Sequence, residues 1–207
     1  MSSKQGSSAG VGSGVDLKDA DDVKEYVENL GIEYRFGCYQ EKNPKSCHLL
    51  GDYWESIKKD FSKAYKTYEL NCTDYNFGHS CHKAAGYRWF GKACEQDGDL
   101  AFSFFKKGCE LDYHSSCLSA GILDTAKPSD KLYHRAEPPN PKRGLEFFRK
   151  SCEEGNLAEG CHRYASFFIN GMKDVCKKDL EHAFKYSLMA CELGSLGGCT
   201  NVSIMYK

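Results

Sequence analysis

Apolar side chains recur with helical spacing in the segments that lead to Cys72, Cys109, Cys152 and Cys191. The residue eight positions before each of these cysteines is alanine or glycine. Seven of the eight residues that stand four or seven positions before them are aromatic or leucine. Positions four, seven and eight residues from one reference residue share one face of an α-helix. The pattern therefore predicts amphipathic helices, here called closing helices, that end near these cysteines.

A second set of helices, the opening helices, is predicted to begin at Cys47, Cys81, Cys117, Cys161 and Cys199. Glycine, alanine or serine stands four residues after each of these cysteines, and a bulky residue follows two positions later. Small side chains let two helices approach closely, while bulky ones fill the layer beside them. The predicted helices are an N-terminal helix near 19–30, opening helices near 46–57, 80–91, 115–124, 159–170 and 197–207, and closing helices near 61–72, 99–111, 142–153 and 179–192.

These helix pairs repeat along the chain, because the five cysteines that start opening helices recur at intervals of 34, 36, 44 and 38 residues. A recurring interval of this size is typical of a solenoid of helical repeats. We predict an all-α fold, an α/α superhelix of about five repeats forming a single domain at 17–207. A disordered Ser/Gly-rich tail is predicted at 1–16. The last repeat is incomplete, as in a shortened isoform or gene model, and if the chain ends there we expect its uncovered apolar end to dimerise or dock.

Ten of the 12 cysteines form five close pairs with sequence separations of eight or nine residues. Each pair brackets the turn between a closing helix and the next opening helix, so a disulfide there would staple one repeat to the next. The predicted disulfides are Cys38–Cys47, Cys72–Cys81, Cys109–Cys117, Cys152–Cys161 and Cys191–Cys199.

The charge balance and the N-terminus exclude several classes of protein. The 28 basic and 29 acidic residues give a net charge of −1, which disfavours nucleic-acid binding because such proteins carry a basic excess. No apolar run approaches the ~20 residues that span a bilayer, so no transmembrane segment is predicted. Residues 1–15 resemble neither a secretory signal nor an Arg-rich transit peptide. The missing export signal conflicts with a cysteine content typical of oxidised proteins.

The third repeat contains a long insertion at 125–141 that holds four of the five prolines. Its composition predicts a stiff, exposed segment on one face of the array. Two interpretations stay open, a tolerated surface loop and an arm that docks a partner.

Several segments resemble the Sel1-like repeat family, whose repeats are TPR-like. Asp99–Asp112 and Asp179–Gly194 resemble its closing helix, and Cys47–Tyr53 resembles its opening helix. The cysteine framework from Asp16 onward is similar to that of the family's cysteine-rich mitochondrial members. This resemblance implies a protein of the mitochondrial intermembrane space, imported without a cleavable presequence and trapped by the oxidative import machinery. Cytosolic residence with free thiols is the alternative.

The resemblance also implies a function. Such proteins assist assembly of respiratory chain complexes, chiefly cytochrome c oxidase, so we expect a disulfide-stapled scaffold that binds protein clients rather than an enzyme. The alternatives are a thiol–disulfide oxidoreductase that uses an unpaired cysteine and a repeat adaptor unrelated to respiration.

Cys94 and Cys176 stand outside the register of the pairs and are the candidates for catalysis. The alternatives are two unpaired structural thiols, thiol–disulfide exchange with clients, and a bridge to another molecule. Reactivity needs a lowered thiol pKa, and three lysines flank Cys176, namely Lys173, Lys177 and Lys178. Cys176 is therefore the stronger candidate. No Cys-x-x-Cys motif is present, which disfavours a thioredoxin-like site.

Non-covalent haem binding through histidine and methionine is a further implication of the resemblance. The candidate ligands are His79, His82, Met172, Met189 and Met205, and their spacing selects no pair among them.

A metal site is not predicted, although Cys72, His79, Cys81 and His82 have the right residue types, because both cysteines belong to a predicted disulfide. Three histidines follow the second cysteine of a pair directly, which favours a structural role for that position: His48, His82 and His162.

Overall fold

The computed structural model describes residues 16, 18–127, 129 and 134–206, and across these it contains ten α-helices and no β-strand. The helices are α1 (Ala20–Tyr39), α2 (Pro44–Asp52), α3 (Phe61–Thr73), α4 (Gly78–Phe90), α5 (Gly98–Glu110), α6 (His114–Thr125), α7 (Pro141–Glu153), α8 (Ala158–Asn170), α9 (Leu180–Glu192) and α10 (Leu196–Met205). The predicted disordered tail falls almost wholly outside the described residues.

Each helix packs against the next along the chain, and α4 also contacts α6 while α8 contacts α10. Helices α2, α4, α6, α8 and α10 are the opening helices, and α3, α5, α7 and α9 are the closing helices. The predicted all-α array of repeats with in-register cysteine pairs is confirmed. No described helix is both long and apolar enough to cross a lipid bilayer.

The predicted N-terminal helix ended too early. Helix α1 continues to Tyr39, precedes the first repeat and ends at the Cys38–Cys47 pair in the way that a closing helix does. Gly31 and Gly37 are buried in its second half, whereas Ile32 and Phe36 there are exposed. A β-carbon on Gly31 would collide with Tyr53, and one on Gly37 would collide with Ser46. The opening helix predicted at 46–57 begins at Pro44 and ends in a π-helical turn over Tyr53–Ile57.

Small residues receive aromatic rings where the helices cross. A β-carbon on Gly51 would overlap the fully buried ring of Tyr68, and one on Gly121 would lie 2.7 Å from the ring of Phe148. These are the positions at which the sequence pattern predicted small residues opposite bulky ones. The close approach buries the apolar faces of opening and closing helices against each other.

The cysteine pairs lie at the turns between closing and opening helices. Their Cα–Cα distances are 4.4 to 4.6 Å, within the range that a disulfide requires. Eight of these ten cysteines are buried, so the bridges form part of the core as well as a covalent link.

The insertion in the third repeat is not exposed throughout. The Arg135 side chain is fully buried, and its Nη1 lies 3.0 Å from Oδ1 of the fully buried Asp124. Its guanidinium carbon lies 3.8 Å from the ring centre of Phe102, and the amides of Ala136 and Glu137 donate to the Asp99 carboxylate. The part of the insertion after 133 is therefore anchored to the array, and residues 128 and 130–133 lie outside the described chain.

Reduction of the disulfides is expected to destabilise the array strongly. A bridge that closes about nine residues stabilises a fold by about 2.6 kcal/mol in the chain-entropy model, and five give roughly 13 kcal/mol as an upper bound. Calorimetry of the oxidised protein with and without strong reductant measures the change in melting temperature. The Cys94→Ser/Cys176→Ser variant should show the same fall, and an unchanged melting temperature in the reduced protein would contradict the expectation.

Truncation of Arg135 tests the anchor of the insertion. Arg135→Ala is expected to lower the free energy of unfolding by about 2 kcal/mol, because it removes a buried cation that pairs with Asp124, while Arg143 still pairs with the same carboxylate. Arg149→Ala removes a more exposed cation that pairs with Glu146 and Glu153, so it should cost less than about 1 kcal/mol. Urea denaturation compares the two variants, and equal losses would refute the anchor.

Candidate functional site

The two unpaired cysteines occupy equivalent places in their repeats. Cys94 lies in the loop between α4 and α5, where its Sγ is 3.4 Å from the carbonyl oxygen of Tyr87. Cys176 lies in the loop between α8 and α9, where its Sγ is 3.3 Å from the carbonyl oxygen of Phe167. Each carbonyl belongs to the residue six positions after the second cysteine of its pair. The thiols therefore lie outside the disulfide register, but both fasten the same loop to the opening helix.

The structure does not bring the two thiols together. Cys94 packs against the apolar core of the first three repeats, and Cys176 packs against the separate core of the later repeats. Burial raises the pKa of the Cys94 thiol, and the Glu69 carboxylate adds to this effect while Arg88 opposes it. A raised pKa lowers the thiolate fraction and with it the nucleophilicity of Cys94 at neutral pH.

The loop that holds Cys176 is closed on itself. The amide of Met172 donates to the carbonyl of Cys176, and the amide of Cys176 donates to that of Met172, with N–O distances of 2.9 and 3.0 Å. The loop borders a cavity of about 480 Å³, lined by all three predicted lysines: Lys173, Lys177 and Lys178. The lysines that led us to favour Cys176 therefore do lie along its loop.

Two histidines that follow second cysteines bond to the next repeat. Nδ1 of His48 lies 2.9 Å from Oγ of Ser80, and Nδ1 of His82 lies 3.1 Å from Oγ of Ser116. Both serines directly precede the second cysteine of the following pair. The histidine position therefore links the first repeat to the second, and the second to the third, by a side-chain hydrogen bond.

The other repeats lack this bond. The third repeat has Leu118 at the histidine position, and Gly160 replaces the serine of the next turn. The fourth repeat has His162, but Gly198 replaces the serine, and Nδ1 of His162 is buried without a hydrogen-bond partner. A β-carbon on Gly197 would lie 2.6 Å from the His162 ring.

The rings of the early repeats form a continuous column. The centroids of His48 and His79 are 3.9 Å apart, His79 stacks on Tyr113 at 4.6 Å, and His82 lies 5.3 Å from Tyr113. Burial lowers the pKa values of His48 and His82 to about 4, and that of His79 is lowered as well. At neutral pH the column is uncharged.

The haem candidates are distributed over distant repeats. His79 and His82 lie in α4, whereas Met172 lies in the α8–α9 loop, Met189 in α9 and Met205 at the end of α10. The Sδ of Met189 is 3.8 Å from the Cys152 sulfur. None of the three predicted methionines lines the apolar groove that His82 borders.

A groove beside His82 was not found from the sequence. It lies between α4 and α6, has a volume of about 270 Å³, and is called here the α4–α6 groove. Its lining is mostly apolar and consists of His82, Gly86, Trp89, Phe90, Phe105, Ser119, Ile122 and Leu123. The signal that could have located it was a glycine inside a predicted helix, Gly86, with three aromatic residues among the four that follow it.

A second cluster gives no sign in the sequence, because Glu154 lies a whole repeat away from Asp112 and His114. Asp112, His114 and Glu154 place one potential metal ligand each within 4.8 Å of one another at the turns of successive repeats. Nε2 of His114 lies 3.9 Å from a Glu154 carboxylate oxygen. The Cys72–His79–Cys81–His82 group, for which no metal site was predicted, has both of its cysteines in one disulfide.

Acidification is expected to destabilise the histidine column. The folded-state pKa values of His48 and His82, about 4, lie below the usual 6.5, so the unfolded chain binds more protons between these values. Stability is therefore full above pH 6.5 and falls as the pH is lowered toward 4, by up to about 1.4 kcal/mol per pH unit for each group.

The variant His82→Leu/Ser116→Gly installs the residue types of the third repeat and should flatten this dependence. Urea denaturation at pH 7.5, 6.0 and 5.0 measures the slope. Carboxylates with lowered pKa values, such as Glu55, titrate below this window. Identical slopes in the variant and the unsubstituted protein would exclude His82 as a source of the effect.

Known proteins share the repeat architecture of this chain. The Sel1 repeat family model matches residues 44–69, 79–113, 131–156 and 158–195. A Sel1 repeat protein from Oxalobacter formigenes aligns over 90% of this chain and 74% of its own, with a TM-score of 0.72 and 17% identity. A protective antigen of uropathogenic Escherichia coli with an SLR fold aligns over 89% of this chain and 42% of its own, with a TM-score of 0.68 and 20% identity. These structures share the fold.

Curated relatives match nearly the whole chain. The cytochrome c oxidase assembly factor 7 homolog of Drosophila melanogaster is 39% identical over 92% of this chain and 82% of its own length. Cytochrome c oxidase assembly factor 7 of Xenopus tropicalis is 35% identical over 93% and 82%, and that of Homo sapiens is 32% identical over 83% and 73%. The chain therefore belongs to the Sel1 repeat family and, within it, to the cytochrome c oxidase assembly factor 7 proteins.

Proposed function

We propose that this protein assists the assembly of cytochrome c oxidase in mitochondria, acting as a disulfide-stapled scaffold that binds protein clients. The observation that carries the proposal is the set of relatives named for this role, which are 32–39% identical over most of the chain. A repeat array of this kind supports it physically, since stacked repeats present an extended surface to partners.

The intermembrane space is the proposed compartment. Disulfides persist in oxidising compartments and are rare where thiols are kept reduced. Five buried or half-buried cysteine pairs at bonding distance, one at each turn between repeats, need such a compartment to form. The oxidative import machinery of that space is accordingly the proposed first partner.

Binding, rather than thiol chemistry, is the proposed activity. Cys94 and Cys176 each bond to a backbone carbonyl within their own repeat and lie against different cores. Equivalent contacts in two repeats support a structural role in closing the loop. Haem binding stays a prediction, and the scaffold function does not depend on it.

Restoration of activity in cells that lack their own copy of this factor tests the proposal. The unsubstituted protein should restore cytochrome c oxidase activity, and Cys94→Ser/Cys176→Ser should restore it equally because loop closure needs no reactive thiol. Cys72→Ser/Cys81→Ser should fail, since it removes a buried staple. Protease protection before and after rupture of the outer membrane should place the protein in the intermembrane space.

The outcomes separate the alternatives. Failure of the unsubstituted protein to restore activity would overturn the proposed role. Loss of activity in a folded Cys94→Ser/Cys176→Ser variant would favour the thiol–disulfide oxidoreductase. Protection from protease after rupture of the outer membrane would overturn the proposed compartment.

A further inference from the structure

Gly86 has no packing reason to be glycine. It lies within α4, where glycine is a poor helix former because of its backbone freedom. Other glycines in the described helices, such as Gly51, Gly108 and Gly121, leave no room for a side chain, since an added β-carbon would come within 3 Å of a neighbour. A β-carbon on Gly86 would meet nothing within 4 Å. Among the helical glycines that the structure describes, this one alone faces open space.

The space that Gly86 leaves open belongs to the α4–α6 groove. The groove has room for a large side chain, because a cavity of about 150 Å³ already holds a benzene ring and this one measures about 270 Å³. Phe90 at its edge is 77% exposed, which is unfavourable for a ring that contacts only water. Trp89 and Phe105 supply further aromatic surface.

The groove has no charge to offer a ligand. None of its lining residues is acidic or basic apart from His82, whose pKa burial holds near 4 and which is therefore neutral. The cations of α4 are already engaged, Lys83 with Glu55 and Arg88 with Glu69. A charged side chain entering the groove would lose its hydration without gaining a partner. The complementary occupant is uncharged.

We propose that the α4–α6 groove binds one large, uncharged apolar side chain presented by a client polypeptide. The proposal rests on the proposed scaffold function and names the chemistry of the client that the scaffold selects. Aromatic anchors in pockets carry much of the binding energy of protein interfaces, and the groove provides such a pocket at the junction of the second and third repeats.

Filling the groove tests the proposal without disturbing the core. Gly86→Phe adds a ring into open space and removes a helix-breaking residue, so the variant should fold, as circular dichroism can verify. Lys66→Phe is the matched control, because it adds the same ring to an exposed position on closing helix α3. The probes are two alanine-based helical peptides that differ only at one central residue, phenylalanine or glutamate.

Binding is measured on the oxidised full chain by the NMR signal of the Trp89 indole. The phenylalanine peptide should bind the unsubstituted protein and Lys66→Phe equally, and at least tenfold more tightly than the glutamate peptide. Gly86→Phe should weaken its binding at least tenfold, and Gly86→Ala should weaken it less. Equal binding of both peptides, or undiminished binding by folded Gly86→Phe, would overturn the proposal. The peptide measurement requires no cellular activity, so failure of the proposed assembly role would leave its outcome unaffected.

Discussion

The close approach of consecutive helices at every repeat turn is the constraint on which the rest of the structure depends. A disulfide holds the end of each closing helix within 4.4 to 4.6 Å, Cα to Cα, of the next opening helix. At that distance the two helices must carry small residues where they face each other across the turn, as Gly108 of α5 and Ser116 of α6 do. The cysteine register thereby fixes which side chains can occupy the core.

Much of the fold was predictable from this constraint, because cysteines, small residues and rings recur at fixed offsets. The helix pairs and their turns follow from those offsets. The length of α1 did not, since its two core glycines are explained only by Tyr53 and Ser46, which lie later in the chain. The burial of Arg135 was equally inaccessible, because an insertion with four prolines contains no local sign that a guanidinium will pack against Phe102.

The candidate sites were predicted less completely. The sequence separates Cys94 and Cys176 from the paired cysteines, but only the structure shows that both thiols bond to the equivalent backbone carbonyl. The α4–α6 groove arises between two helices that begin at Gly78 and His114, in successive repeats, so its shape depends on how those repeats stack. The sequence therefore shows which residues carry reactive groups, but it does not show which residues of different repeats lie close together.

The histidine–serine contact between repeats constrains how the array can change. His48 and His82 meet serines, whereas Leu118 corresponds to Gly160 in the following turn. Deleting the third repeat would put Gly160 in the place of the serine that faces His82, so the imidazole of His82 would lose its hydrogen-bond partner. His162, which faces Gly198, already has a buried Nδ1 without a hydrogen-bond partner. The units are therefore not interchangeable modules. The residues at the junctions between repeats therefore fix the order of the repeats along the chain. Moving, duplicating or deleting one repeat would require matching substitutions on both sides of the new junction.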